Sequence, residues 1–160
     1  KTGITPHDLN ECYPELLEFS FDSVRKRMSS IRQVGQGVYR IYVKGSLQTI
    51  MERATHVLDG ATVRAITDAD KKKLTGFDDE LASNAMRNLA FAYKDIHVFD
   101  AHMTMDQAES KLTLLGLVSM IDPPRETVPY AIAAAREAHI KIVVITGDYA
   151  LTAKAIATKI

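Results

Sequence analysis

The fold prediction starts from residues 28–34 (Met-Ser-Ser-Ile-Arg-Gln-Val), 35–37 (Gly-Gln-Gly) and 38–43 (Val-Tyr-Arg-Ile-Tyr-Val). Both flanking stretches have the length and the β-branched or aromatic side chains that are typical of strands. The Gly-Gln-Gly sequence between them is a turn signal. The sequence therefore predicts two strands that are joined by a short glycine turn.

Helices are predicted on the C-terminal side of these strands, over residues 46–54 and 78–93. In the second segment, apolar side chains recur at spacings of three and four residues, which places them on one face of a helix. These residues are Leu81, Ala85, Met86, Leu89 and Tyr93. Up to about residue 110 the expected architecture is an antiparallel sheet with helices packed against it.

From Leu112 onward the pattern changes to alternating strands and helices. A strand over residues 112–121 precedes a Pro-Pro break, and a helix over 126–139, a strand over 141–146 and a helix over 150–160 follow. This alternation predicts a parallel βαβ unit with too few strands for a complete doubly wound domain. The fold class is therefore α/β, with a domain boundary near residues 108–113.

Composition narrows the functional classes. The 160 residues include 20 basic and 20 acidic side chains, so no net charge favours nucleic acid or anionic lipid. The single cysteine excludes an internal disulfide. No apolar run approaches the roughly 20 residues that span a bilayer, and no Walker-type or dinucleotide glycine motif occurs.

One triplet of the second region contains groups that could bind a phosphoryl group. Thr146, Gly147 and Asp148 follow the β-branched strand and precede a helix, where a hydroxyl, a glycine amide and a carboxylate could hold a phosphoryl group. The alternative is a plain strand-to-helix turn, in which Gly147 allows the tight backbone and Asp148 caps the helix. Local physics favours this second interpretation.

Several motifs together resemble one family. The C-terminal motifs are Asp122-Pro123-Pro124-Arg125, Val144-Ile145-Thr146-Gly147-Asp148 and Thr152-Ala153. The upstream motifs are Phe21-Asp22-Ser23 with Arg25-Lys26 and Met28, Lys44-Gly45-Ser46, and Arg87 with Leu89-Ala90-Phe91-Ala92. In order and spacing they resemble the P-type cation-transporting ATPases, and most closely the calcium-pump branch (type II).

The resemblance implies two domains and an ATP site. Residues 1–110 would be the nucleotide-binding domain without its N-terminal part, and 111–160 the start of a HAD-like, Rossmann-type phosphorylation domain. The implied ATP-binding residues are Phe21, Lys26, Lys44, Gly45, Arg87 and Leu89. Phe21 would stack on adenine, the two lysines would line the pocket, and Arg87 would reach the triphosphate. Leu89 would lie against the adenine or ribose.

The resemblance also assigns roles in the phosphorylation region. Thr146 and Gly147 would contact the phosphoryl group, with Asp148 beside the nucleotide phosphates. Asp122 and Arg125 would support the site through ion pairing. Many relatives have asparagine where Tyr149 stands, so the loop contacts at that position differ from the family pattern.

In the intact pump, the family transfers phosphate from ATP, with Mg²⁺, to an aspartate of an Asp-Lys-Thr-Gly-Thr motif. This chain has no such motif. The fragment is therefore expected to bind ATP, to catalyse nothing, and to leave most Mg²⁺ ligands and any metal site outside it. It is also expected to be a soluble monomer at the cytosolic face of a membrane protein.

The expected partners are ATP and the remaining phosphorylation, actuator and transmembrane domains of the same pump, and not nucleic acid. Calcium is the favoured cation, although sodium, potassium and proton pumps share similar cytosolic motifs. Two alternatives stay open, a non-catalytic interaction module that retains the fold and a fragment of a HAD-like phosphatase.

Overall fold

A computed structural model of the chain describes residues 5–147 and 149–160. The strands are β1 (Glu15–Asp22), β2 (Arg27–Gly35), β3 (Val38–Gly45), β4 (Ala54–Asp59), β5 (Thr62–Ala65), β6 (Arg87–Ile96) and β7 (Leu112–Met120). The helices are α1 (Pro6–Cys12), α2 (Leu47–Met51), α3 (Asp68–Ser83), α4 (Met105–Ala108), α5 (Val128–Glu137) and α6 (Ala150–Thr158). This mixture of strands and helices confirms the predicted α/β class.

The strands form one sheet in the order β1-β2-β3-β6-β7-β4-β5. The pairs β1/β2, β2/β3, β3/β6 and β4/β5 are antiparallel, whereas β4 and β7 are parallel. The predicted strands 28–34 and 38–43 are confirmed as the hairpin β2–β3. Gly37 has a φ of +67°, which a residue without a side chain adopts easily in this turn.

One face of the sheet carries the core. Ile31 of β2 lies opposite Ile41 of β3, and both are fully buried. Further buried residues from the strands and from α2 continue this core: Val43, Leu47, Ile50, Ala90, Ala92, Leu112 and Leu114. Because side chains alternate along a strand, Met28, Lys44 and Phe91 belong to the opposite face.

The helix predicted over residues 78–93 is correct as far as Ser83 and wrong beyond it. Helix α3 begins ten residues earlier, at Asp68, and ends at Ser83, and β6 starts at Arg87. Ala85, with a φ of +65°, lies between these two elements. Pairing with β3 buries Ala90 and Ala92 completely, so the tertiary context selects the two-residue period over the helical one.

The strand predicted over residues 141–146 is also wrong. These residues belong to no strand, and Ile145 is 93% exposed. A strand that is apolar on both faces needs paired neighbours and covering layers, and the described residues supply none here. Of the unit predicted from residue 112, the structure therefore forms the first strand, β7, and the helices α5 and α6.

The chain divides into two compact units by its contacts. One contains the residues up to Lys71 together with Leu89–Val118, and the other contains Lys72–Asn88 together with Ser119–Ile160. The boundary near residues 108–113 stays a prediction. No helix in the described part of the chain is long and apolar enough to cross a membrane.

The start of α3 makes the stability depend on pH. Asp70 accepts hydrogen bonds from Arg64 Nη1 at 2.7 Å and from the backbone N and hydroxyl of Thr67. The bonds from Arg64 and then from Thr67 lower the pKa of Asp70 well below its ordinary value. Its contribution to stability is therefore complete above about pH 4, where an unfolded aspartate is ionised, and is lost as the pH falls towards the lowered pKa.

We expect Asp70→Asn to reduce the loss of stability between pH 7 and pH 2.5, because the variant lacks this titrating group. Urea unfolding at the two pH values measures the effect. Asp68→Asn is the matched control, because Asp68 lies in the same helical turn and its carboxylate forms no hydrogen bond or ion pair with another described residue. Equal acid sensitivity of wild type and Asp70→Asn would contradict the assignment.

Candidate functional site

A β-bulge in β1 determines where Phe21 points. Phe19 pairs with Ser29 and Asp22 pairs with Arg27, so three steps along β1 match two along β2. The extra residue reverses the alternation of side chains, as bulges do. Phe21 is thereby assigned to the face of Met28, opposite the core, and its side chain is 62% exposed.

The turn between β1 and β2 is held by Asp22. Its Oδ1 accepts hydrogen bonds from the backbone N of Val24 at 3.0 Å and of Arg25 at 2.8 Å. Its carbonyl accepts from the backbone N of Lys26 at 2.7 Å. Lys26 has a φ of +49°, which is uncommon for a residue with a side chain. The hydrogen bonds to Asp22 thus close the turn that carries Phe21 and Lys26.

Gly45 brings the end of β3 against this turn. A Cβ at Gly45 would lie 2.6 Å from the Lys26 carbonyl oxygen and 2.5 Å from the Arg27 Cβ. The backbone N of Ser46 donates to the same Lys26 carbonyl at 3.1 Å. The sequences Arg25-Lys26 and Lys44-Gly45-Ser46 lie where β2 begins and β3 ends, and they meet at one backbone contact at the open end of this hairpin.

A cavity of about 630 Å³ opens beside Lys44. Met28 and Phe91 are the sheet neighbours of Lys44 on either side, and all three line the cavity. Tyr13 and Tyr42 add aromatic surface. Phe21 and Lys26 are not among the lining residues. The cavity is within the usual size range of small-molecule sites and combines apolar walls with a few charged groups.

The two predicted residues of β6 differ in their surroundings. Leu89 is half-buried, and the alternation along β6 assigns it to the same face as Phe91 and Lys44. Arg87 is exposed and belongs by its contacts to the other unit. The approach of Arg87 to a triphosphate therefore stays a prediction.

The predicted residues of the phosphorylation region lie in the second unit. Thr146 and Gly147 are exposed, and Asp148 lies outside the described residues. Asp122 and Arg125 are also exposed, and neither forms an ion pair with another residue of the described ranges. The supporting role predicted for Asp122 and Arg125 therefore stays a prediction.

Tyr149 follows this region and has a defined partner. Its hydroxyl donates a hydrogen bond to Asp79 Oδ1 at 3.1 Å, and this bond to the carboxylate raises the pKa of Tyr149. In the next turn of the chain, the Thr152 hydroxyl donates to the Met86 carbonyl at 3.2 Å. These contacts lie within the second unit and attach α6 to the end of α3.

Sequence reasoning missed Glu109, which is 1% exposed. Its carboxylate accepts hydrogen bonds from Arg27 Nε at 2.6 Å and from the Ser29 hydroxyl at 2.9 Å, and it also binds Arg25. Arg25 and Arg27 flank Lys26 in the turn. The two arginines beside Lys26 were a signal for a buried acid, but 80 or more residues separate that acid from its partners.

Metal-binding groups are scarce in the part of the chain that the structure describes. No cluster of three or more His, Cys, Asp or Glu side chains there could hold a metal ion. The aromatic, lysine and glycine groups around Lys44 suit a nucleotide, whose base is apolar and whose phosphates are anionic. The described residues thus fit ATP but offer no ligand set for its Mg²⁺.

Comparisons with known proteins identify the family of the chain. A family model described as "P-type ATPase, cytoplasmic domain N" matches residues 1–127. Calcium-transporting ATPase 1 of Lactococcus lactis is 41% identical over 160 residues, which is 100% of this chain and 18% of that protein. The calcium-transporting ATPase of Bacillus subtilis is 38% identical over 157 residues, 98% of this chain and 18% of that protein.

A sodium/potassium exporting P-type ATPase of Schizosaccharomyces pombe is 37% identical over 145 residues, 89% of this chain and 14% of that protein. The chain thus spans less than a fifth of the length of each of these relatives. The family model covers most of the chain, and the relatives agree in their family across different transported ions. The chain belongs to the P-type ATPases, and its residues 1–127 match their cytoplasmic domain N.

Proposed function

We propose that this chain binds ATP and presents it for phosphoryl transfer within a calcium-transporting P-type ATPase. Phe21 stacks on adenine, Lys26 and Lys44 neutralise phosphate charge, and Gly45 allows the ligand close to the backbone. Leu89 packs against the base or ribose, and Arg87 reaches the triphosphate. Calcium is proposed because relatives with this name are 34–41% identical to the chain.

The observation that supports the proposal best is the contact at Gly45. It joins the Lys26 turn to the Lys44 segment through the Ser46 N to Lys26 carbonyl bond, beside a cavity of about 630 Å³. Neither lysine has an ion-pair partner among the described residues, so both remain able to bind an anion.

In the whole protein, the γ-phosphoryl group of ATP would pass to an aspartate of the Asp-Lys-Thr-Gly-Thr motif, and Mg²⁺ would neutralise the developing charge. This chain lacks that motif. Its own contribution is to hold the base and the phosphates, while Thr146, Gly147 and Asp148 contact the phosphoryl group. Asp122 and Arg125 support that region. Alone, the chain is proposed to bind ATP without hydrolysing it.

Removal of the Phe21 ring is expected to weaken ATP binding by about one order of magnitude or more. Base–aromatic stacking contributes about 1–3 kcal/mol, which corresponds to a roughly 5- to 150-fold change in Kd. Isothermal titration of the wild type and Phe21→Ala with ATP measures this difference.

Val24→Ala is the matched control for this test. Val24 lies in the same turn and is 90% exposed, so its loss removes apolar surface without removing an aromatic ring. Its affinity should equal that of the wild type. Equal affinity of Phe21→Ala and the wild type would remove Phe21 from the site, and no ATP binding by the wild type would favour a ligand-free interaction module.

A further inference from the structure

We propose that Glu109 is a positioning residue for the nucleotide site, and this inference rests on the proposed function. Glu109 holds the turn that carries Phe21 and Lys26 in its binding conformation through Arg25 and Arg27. It touches neither the proposed ligand nor the cavity beside Lys44. Its effect on ATP would therefore pass through the shape of the turn alone.

The connection from Glu109 to Phe21 passes through Arg25. The Arg25 guanidinium binds Glu109 with Nη1 and donates from Nη2 to the carbonyl of Ser20, the residue before Phe21. A weaker contact of 3.4 Å joins the same Nη2 to the Phe19 carbonyl. These carbonyls belong to the bulged part of β1. The planar guanidinium thus connects the buried acid to the bulge that turns Phe21 outward.

The connection from Glu109 to Lys26 passes through Arg27. Arg27 Nε donates to Glu109 Oε2 at 2.6 Å, and Arg27 Nη1 donates to the Arg25 carbonyl at 3.2 Å. The two residues that flank Lys26 in the sequence therefore bind the same carboxylate. This arrangement opposes relaxation of Lys26 from its left-handed backbone conformation.

Burial explains why the carboxylate is effective in this role. Glu109 is 1% exposed, and Arg25 and Arg27 are 14% and 8% exposed, so little water is available to replace a lost partner. Groups that are charged, buried and mutually bonded tolerate few alternative geometries. The network of Glu109 contacts the residues on both sides of Lys26 and, through Arg25, the residue before Phe21. This pattern favours a positioning role over general stabilisation.

The test compares ATP affinity in Glu109→Gln and the wild type. Glutamine keeps the size of the side chain but directs an amide NH₂ at one arginine, so we expect the Kd for ATP to rise about tenfold. Titration calorimetry is run at a temperature where urea unfolding shows each variant to be folded.

A stability control separates positioning from general loosening. Leu112→Val alters a fully buried core residue that makes no hydrogen bond to the network, and it should lower stability without raising the Kd. In amide spectra of the ATP-free protein, Glu109→Gln should shift Phe21 and Lys26, and Leu112→Val should not. If Glu109→Gln does not fold, Arg25→Lys serves instead, because it keeps the charge and removes the link to the Ser20 carbonyl.

The possible outcomes separate the two proposals. ATP binding by the wild type with an unchanged Kd in Glu109→Gln, or in Arg25→Lys where that variant is used, overturns the positioning role and leaves the proposed function intact. A Kd that rises equally in Leu112→Val and Glu109→Gln also overturns it. No ATP binding by the wild type overturns both.

Discussion

Replacement of Leu114 by alanine is expected to lower the free energy of unfolding by about 2–5 kcal/mol. Leu114 is fully buried in β7 and pairs with Val57 of β4. Truncation would leave a cavity in the sheet core, and the surrounding strands could fill it only in part. Urea unfolding of the wild type and the variant, monitored by circular dichroism, measures the loss.

Leu115 provides the matched control in the same strand. It points to the other face and is 41% exposed, so Leu115→Ala should cost much less. Equal losses for the two leucines would contradict the placement of β7 beside β4, because a strand outside this sheet would not bury alternate residues there.

The second large effect is expected at Gly45. In Gly45→Ala the new Cβ would lie 2.5 Å from the Arg27 Cβ and 2.6 Å from the Lys26 carbonyl, closer than real side chains approach. The carbonyl oxygen belongs to the backbone and the Arg27 Cβ is attached directly to it, so β2 and β3 must separate locally. We expect a loss of stability of about 1–3 kcal/mol and at least a tenfold weaker affinity for ATP. Urea unfolding and ATP titration of the same preparation measure both.

Gly35→Ala is the control for this prediction. A Cβ at Gly35, at the other end of β2, would meet only the Val38 Cβ at 3.7 Å, which is an ordinary contact. Its stability should change by less than about 1 kcal/mol, because no strained contact forms. Normal stability and normal ATP affinity of Gly45→Ala would show that the two lysine segments do not meet as described.

The local features of the sheet could be predicted from the sequence. The strands of the hairpin and its Gly37 turn depend on residues that are close together in the chain. The predicted helix at residues 150–160 is confirmed as α6, with nearly the same bounds. Each of these features follows from short-range preferences that the tertiary structure does not oppose.

Two predictions failed where the tertiary context decides. The apolar residues between 78 and 93 fit a helical period, but Ala90 and Ala92 also fit a strand, and pairing with β3 selects the strand. Residues 141–146 have strand composition but no strand partner among the described residues. A single segment does not reveal which neighbours will be present to pair with it.

The candidate site was predictable only in part. The family resemblance predicted Lys26, Lys44 and Gly45 as ATP-binding residues, and their role stays a prediction. In the structure, Gly45 packs against the Lys26 carbonyl, which accepts a hydrogen bond from the Ser46 backbone N. The bulge that redirects Phe21 depends on register with β2, and Glu109 reaches its partners across at least 80 residues. Such long-range pairings are set by the folded sheet, and local sequence patterns do not predict them.

The most direct test of nucleotide binding is an amide NMR titration of this chain with ATP, with and without Mg²⁺. We predict saturable shifts that cluster at Phe21, Lys26, Lys44 and Leu89, because these residues surround the Gly45 contact or share the face of Lys44. Absence of saturable shifts there, or shifts confined to residues distant from Gly45, would contradict the proposal that this domain binds ATP.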